Sequence, residues 1–555
     1  MIISYTDDGN IHVRYRESNN LRVERVYNDF KPYFFIDEKA REIDFYKINM
    51  KVNGENVSLE LPYAYEHGDW KNLLGKPLKK VIVQKHSDIR TAKKSWNRTY
   101  EADVPFHYRY CVDKLEKLHE YDLRKWYWDM EWLNGDPDEG DAITAIVVYD
   151  NYDDKYTVYT WNPYLNEDKF PEYNNNSVIF TFHSEFEMLR GFMRKIQDCD
   201  PDMLISWFGS KFDLPKLIHR LHYRGIDPRG LSPYNEVKGV YANKITDAVD
   251  NYSPVAQPIR GRITLNLDLA FERQWNDSQR GTLPSLALDY AAEVVLGAKK
   301  LVSEKFPDKN EFFRRGWLED TERYLEYARV DVELLHRIDD EMGLSEGILS
   351  LQRLLVAPFD ACFYASNMGS IYFMRNAWWK APTGDKSKDR EDYDGALIYD
   401  PLSEETNGLH IGVAAFDYAG LYPSMMLARN ISWETLTHSK TEFAVNLKTP
   451  RDFSPVVDKD MVYFKTDKLG LLPQSVLELK TLRDEYKRRR NEAEDKREYT
   501  KWENSQMAVK RLMASFYGII AYQGFGWANV TLAAAITASA REAIREAAFK
   551  VRELE

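Results

Sequence analysis

The chain has little cysteine: three residues among 555, Cys111, Cys199 and Cys362. None stands in a CxxC spacing, which speaks against a disulfide framework or a zinc site and fits a reducing cytoplasm. Long apolar runs are missing too. No stretch of about 18 apolar residues occurs, so no membrane span is expected. The opening residues Met1-Ile-Ile-Ser4 lack the basic flank and apolar core of a signal peptide. Basic charge is not in excess, for the formal net charge is −12. That value does not advertise a nucleic-acid partner. It does not exclude one either, because DNA responds to local patches and metal-holding carboxylates add to the acidic total. Internal repeats and low-complexity tails are also absent.

What is present is a globular composition, 44% hydrophobic, 30% charged and 14% aromatic. The length predicts three to five domains. Residues 1 to about 118 mix short alternating strands with turns. From about 119 to 338 strands and helices alternate, the pattern of an α/β domain. The polar segment Thr383–Asp394 reads as a boundary loop. Strand-like runs follow at Ala396–Tyr399 and Ile411–Phe416. Pro473–Tyr517 reads as two long helices joined by a charged junction near Arg488–Tyr499, and Ala533–Glu555 as another helix. The expected fold class is a multidomain α/β and α+β protein.

Three acidic segments carry the chemistry. In Trp126-Tyr-Trp-Asp-Met-Glu-Trp132, read as a strand, residues two apart share a face. Trp126, Trp128, Met130 and Trp132 then enter a core, and Asp129 and Glu131 stand together on the other side. Neighbouring carboxylates repel unless a cation sits between them or one takes a proton. Ala142–Tyr149 reads as the adjacent buried strand. Alone, the pair reads more readily as a strand with a solvated acidic face. Asp213, after the apolar stretch Met203–Phe208, precedes a helix and alone reads as its cap. Tyr327 and Asp331 stand at i and i+4 on one helix face and alone read as an exposed pair.

Taken together, Asp129, Glu131, Asp213 and Asp331 follow the order and approximate spacing of the three exonuclease motifs of family B DNA polymerases. Leu283-Pro-Ser-Leu286 through Leu296-Gly-Ala-Lys299 matches as well. Asn28–Phe34 and Asp103–Phe106 resemble archaeal members. The resemblance, archaeal- or viral-like, runs over nearly the whole chain. It implies an RNase H-like 3′→5′ exonuclease domain at 119–338 that hydrolyses a 3′-terminal phosphodiester with two Mg²⁺ or Mn²⁺ ions about 3.5–4 Å apart. Asp129, Glu131, Asp213 and Asp331 would hold the ions, and Tyr327 would align the water. One departure is Phe208, where the second motif usually carries Asn.

The resemblance continues into a polymerase half-site. Phe416-Asp417-Tyr-Ala-Gly-Leu-Tyr422-Pro-Ser424 is similar to the first palm motif, with Gly420 where Ser is usual. Pro423 suits the first turn of a helix, and Tyr422 before it is expected to be extended. The implied roles are metal binding by Asp417 and exclusion of ribonucleotides by Tyr422. Tyr393-Asp-Gly395-Ala396 matches the YxGG/A element, which touches template. Lys510-Arg-Leu-Met-Ala514-Ser515-Phe-Tyr517-Gly518 resembles the fingers motif KxxxNSxYG, with Ala514 in place of Asn. Arg483, Lys487 and Lys510 would cradle a triphosphate, with Ser515 and Tyr517 completing the nucleotide site. Arg488–Arg490 reads as a solvated face.

The resemblance implies further domains: an N-terminal domain at 1–118 with a return segment at 339–383, a palm at 384–467 and 521–555, and helical-hairpin fingers at 468–520. A second palm carboxylate, from a YxDTDS hairpin, is expected several dozen residues beyond Tyr517 and is not found. Asp392-Tyr-Asp394 belongs to the YxGA element and Asp153-Asp154 to a polar turn. The thumb is missing as well. The expectation is therefore the large part of a split or shortened polymerase. Its partners would be primer–template DNA, dNTPs, a small second chain bearing YxDTDS and thumb, and a sliding clamp. It would work in the cytoplasm of a prokaryotic or virus-infected cell. The competing readings are a catalytically silent DNA-binding scaffold and a stand-alone exonuclease.

Overall fold

The computed structural model describes all residues except 18, 53–54, 134–141, 163–175, 278–280, 382–391, 399–407 and 554–555. Contacts divide the chain into two compact units, Met1–Phe30 with Glu116–Asp360, and Lys31–Leu115 with Ala361–Glu555. This division is coarser than the five segments expected from the sequence, and it sets residues 1–30 apart from 31–115.

The first unit is built on a six-stranded mixed sheet. Its strands are β1 (Lys125–Trp132), β2 (Ile143–Asp150), β3 (Lys155–Trp161), β4 (Ser177–Phe182), β5 (Met203–Ser206) and β6 (Ile263–Asn266). They lie in the order β4-β3-β2-β1-β5-β6. β1 pairs antiparallel with β2, placing Val147 opposite Asp129, and parallel with β5. Every residue of β2 is buried, as a strand covered on both faces requires. Trp126, Trp128 and Met130 enter one core with residues of α1 (Glu185–Cys199) and α2 (Asp213–Tyr223), and Trp132 packs against it, as the alternation predicts. The long helix α4 (Thr321–Met342) covers the opposite face, after α3 (Leu288–Leu296). Tyr127 on that face donates to Asp339 of α4 at 2.5 Å. Strands at 2–5, 11–16 and 22–27 form a separate sheet. Arg14 pairs there with Asp200 at 2.7 Å, and Arg16 with Asp202 at 2.5 Å. The Arg16–Asp202 pair is buried, so removing either partner would leave an uncompensated charge.

The second unit contains the helical hairpin expected from the charged junction. α6 (Leu471–Asn491) and α7 (Lys496–Ile520) pack on each other, and Asp495 caps α7 by accepting from the Glu498 amide at 2.7 Å. They follow the short α5 (Leu421–Ala428) and precede α8 (Val530–Glu553). A three-stranded sheet of 436–437, 461–464 and 443–446 lies between α5 and α6 in the chain.

Three expectations in this unit are corrected. Ile411–Phe416 is not a strand: no described residue pairs with it, and Ile411, Val413 and Phe416 are 93%, 74% and 87% exposed. Apolar alternation supplies a face, but a strand also needs a neighbour for its amides. Ala396–Ile398 is likewise irregular, while Tyr399 lies outside the described residues, as does most of the Thr383–Asp394 loop. Tyr422 is helical instead of extended, because α5 begins one residue earlier, after Gly420 at φ +71°. The pre-proline preference is a bias, and a helix start overrides it here.

Candidate active site

In the first unit, segments far apart in sequence meet in one cavity of about 420 Å³. Asp129 and Glu131 enter from β1, Asp213 from the first turn of α2, and Tyr327 and Asp331 from α4. Ligand oxygens of Asp129, Glu131 and Asp331 lie within 4.8 Å of one another. Asp213 lines the same cavity but falls outside that tight group. The residue before α2 makes no side-chain cap, so Asp213 is not spent as an N-cap. Tyr327 and Asp331 are buried, not exposed, at 6% and 1%.

Local backbone geometry aims Asp213. β5 ends at Ser206, and the chain turns at Phe208, whose φ is +41°. That left-handed conformation costs a non-glycine residue roughly 1–2 kcal/mol. A Cβ on Gly209 would lie 1.7 Å from Ser206 Oγ, so only glycine allows this close approach. The Phe208 carbonyl accepts from the Lys211 and Phe212 amides at 2.9 and 3.2 Å, closing the turn one residue before Asp213.

The electrostatics are those of a cation site. Burial, reinforced by Asp331 and opposed by Lys300, pushes Asp129 up to about 7. Burial and the charges of Asp129 and Asp331 hold Glu131 well above the carboxylate range, and burial with Asp129 does the same to Asp213. These groups cannot all be charged together without added positive charge. One positive charge is built in. Lys300 Nζ donates to Asp331 Oδ2 at 2.5 Å and lies 3.4 Å from the Tyr327 hydroxyl. Asp331 Oδ1 is buried without a hydrogen-bond partner. An all-oxygen donor set with an orphaned carboxylate oxygen fits a hard cation such as Mg²⁺ or Mn²⁺. Lys300 was not foreseen. A lysine after the helix stop at Gly297 carries no periodic signal, and only the fold returns it to α4.

The second unit gathers its predicted residues more loosely. Asp417 is exposed, in the segment without strand structure. Three tyrosines from separate segments do converge. The Tyr422 and Tyr517 rings are 4.4 Å apart, and the Tyr393 and Tyr517 hydroxyls 3.0 Å. Arg541 of α8 fixes the Tyr393–Ala396 segment. Its guanidinium, fully buried, donates to the carbonyls of Asp394, Gly395 and Thr449 at 2.7, 2.5 and 2.8 Å. Arg541 is a second residue the sequence reading missed, since a lone arginine on a helix reads as solvated. Arg483 on α6 donates to Gln506 of α7 at 3.1 Å, so those helix faces meet. Lys487 lies 3.8 Å from Asp484. The Ser515 hydroxyl donates back to the Leu512 carbonyl at 2.7 Å.

Comparison with known proteins gives matches in each unit. The family model described as the DNA polymerase family B exonuclease domain matches residues 116–269, and that of DNA polymerase family B matches 371–554. A DNA polymerase of Pyrococcus glycovorans is 26% identical over 581 residues, covering 99% of this chain and 67% of its own length. A DNA polymerase of Thermococcus sp. (strain 9oN-7) is 25% identical, with coverage of 99% and 67%. One from Pyrococcus horikoshii is 25% identical over 92% of this chain and 39% of its own length. The described residues contain no helix long and apolar enough to cross a membrane. With two family models matched in chain order and relatives aligned along nearly all of its length, the chain belongs to the family B DNA polymerases.

Proposed function

We propose that this chain removes nucleotides from DNA 3′ ends by two-metal hydrolysis, and that it serves an enzyme adding deoxynucleotides at a site centred on Asp417. The observation that carries the first part is the convergence of Asp129, Glu131 and Asp331 oxygens within 4.8 Å in one cavity. In this reading 119–338 is an RNase H-like exonuclease domain and 384–555 comprises palm and fingers, with 1–118 and 339–383 as the N-terminal domain.

Asp129, Glu131, Asp213 and Asp331 would hold two Mg²⁺ or Mn²⁺ ions. Such ions, when bound, stabilise the attacking and leaving oxygens of an in-line displacement. Tyr327 orients the attacking water through its hydroxyl. Lys300 balances the charge of Asp331 and steadies the tyrosine from the other side. Aromatic walls keep bulk water from the carboxylates, which strengthens every charge interaction among them.

For nucleotide addition, Asp417 serves as one metal ligand and the Tyr422 ring excludes a 2′-hydroxyl. Arg483, Lys487 and Lys510 meet the triphosphate, and Ser515 and Tyr517 line the nucleotide site. Tyr393, Gly395 and Ala396 touch template, in the arrangement held by Arg541. The second palm carboxylate and the thumb come from sequence beyond these 555 residues, on the same or another polypeptide. The match to about 67% of the length of the relatives supports this.

The test is 3′ digestion of end-labelled single-stranded DNA with Mg²⁺ or Mn²⁺. The native chain shortens it one nucleotide at a time. Asp129→Ala combined with Glu131→Ala loses the activity by roughly three orders of magnitude. Equal rates in the two proteins would rule out this site.

A further inference from the structure

The cavity that holds the carboxylates has a second wall made of carbon. Phe208 and Phe212 both line it, with ring centroids 6.2 Å apart and planes at 82°. Trp207 meets Phe208 edge-on from the other side, at 6.4 Å and 81°. Phe212 is 49% exposed, a large aromatic kept at an open rim.

Phe208 is also where the backbone is strained, at φ +41°. Such strain persists only where the surroundings over-determine it, and it clusters at functional sites. The turn itself does not ask for a ring. The Phe208 carbonyl bonds to two amides that any residue could serve, and Gly209 alone supplies the close approach to Ser206. Asparagine or glycine would adopt the same left-handed conformation at lower cost. What phenylalanine adds is a flat apolar face in the cavity beside the carboxylates.

We propose that Phe208 is the stacking platform for the base of the 3′-terminal nucleotide, whichever base that is. The two rings meet near a right angle, so a planar base can lie on one and abut the other. Carboxylates across the same cavity face the sugar–phosphate part. Every base has a π-face, so stacking tolerates all four, whereas a polar side chain would read the hydrogen-bonding edge. A base must leave its duplex neighbours to reach this face, and a mismatched or frayed end does so most easily.

This rests on the exonuclease reading, and the experiment separates the two. The native chain, Phe208→Ala, Phe208→Tyr and Phe208→Asn are compared on single-stranded oligonucleotides ending in a normal nucleotide or an abasic residue. Binding is followed, with Ca²⁺ replacing Mg²⁺, by quenching of a 3′-terminal 2-aminopurine. For the normal end, Phe208→Ala and Phe208→Asn raise KM about tenfold, with the loss on KM and not on kcat. Phe208→Tyr keeps the native KM. The native chain disfavours the abasic end by a similar factor, and Phe208→Ala removes that preference. Phe208→Asn meanwhile melts about 2 °C higher, because the turn is relaxed. An unchanged KM in Phe208→Ala, or a loss confined to kcat, overturns the proposal. If the native chain hydrolyses nothing, the exonuclease reading fails, and the fluorescence still decides this one. Quenching lost in Phe208→Ala supports the platform, and quenching retained refutes it.

Discussion

The two units treat acidic residues in opposite ways. In the first, Asp129, Glu131, Asp213 and Asp331 are gathered in one cavity and balanced by Lys300. In the second, Asp417 is exposed at the end of an apolar run that pairs with nothing described. A carboxylate cluster is a site only where neighbouring elements bury it and hold its geometry. β1, α2 and α4 do that for the first unit. The second unit has ordered its tyrosine cluster and its buried Arg541, yet the segment that carries Asp417 pairs with nothing described.

The largest effect that sharpens this contrast is loss of the β1 pair. The double change at Asp129 and Glu131 removes 3′ hydrolysis about a thousandfold, whereas Asp417→Ala leaves it within twofold of native in the same gel assay. Next comes Arg541→Leu. It strands several carbonyls and lowers stability by about 3 kcal/mol, visible as an earlier calorimetric transition, while 3′ hydrolysis at low temperature persists. A parallel fall in hydrolysis would show that the units are not independent. Gly209→Ala forces a Cβ against Ser206 and moves Asp213, so kcat for hydrolysis should drop roughly a hundredfold. A native rate would mean that the turn relaxes without shifting the carboxylate. Lys300→Met leaves Asp331 without its buried cation. We expect a loss of about 2 kcal/mol in metal-free urea titrations, reduced by Mn²⁺, which supplies the missing charge. It falls short of a full buried-charge penalty because these raised carboxylates can take up a proton. The smallest effect is Ile411→Ser, within about 0.5 kcal/mol of native, since the side chain is already 93% exposed. A larger loss would place this run inside the packed unit.

The faces that carry the acidic residues of the first unit were legible because those signals are local and periodic, whereas their grouping into one site rested on the family resemblance. Alternation along β1 separates the tryptophans from Asp129 and Glu131, and four-residue spacing sets Tyr327 beside Asp331 on one helix. The hairpin of α6 and α7 was legible for the same reason, with a charged break between two long helical patterns. Tyr422 and the Ile411–Phe416 run were misread because each depends on something nonlocal, a helix start in one case and a strand neighbour in the other.

The sequence by itself determined which faces of β1 and α4 carry Asp129, Glu131, Tyr327 and Asp331, because side-chain direction repeats with backbone geometry. Only the tertiary structure decided that Lys300 returns to Asp331, that Gly209 packs against Ser206, that Phe208 holds a left-handed turn and that Arg541 is buried among carbonyls. Each of these depends on atoms distant in the chain, or on a backbone angle that no residue type imposes, and the energy that fixes them arises on packing.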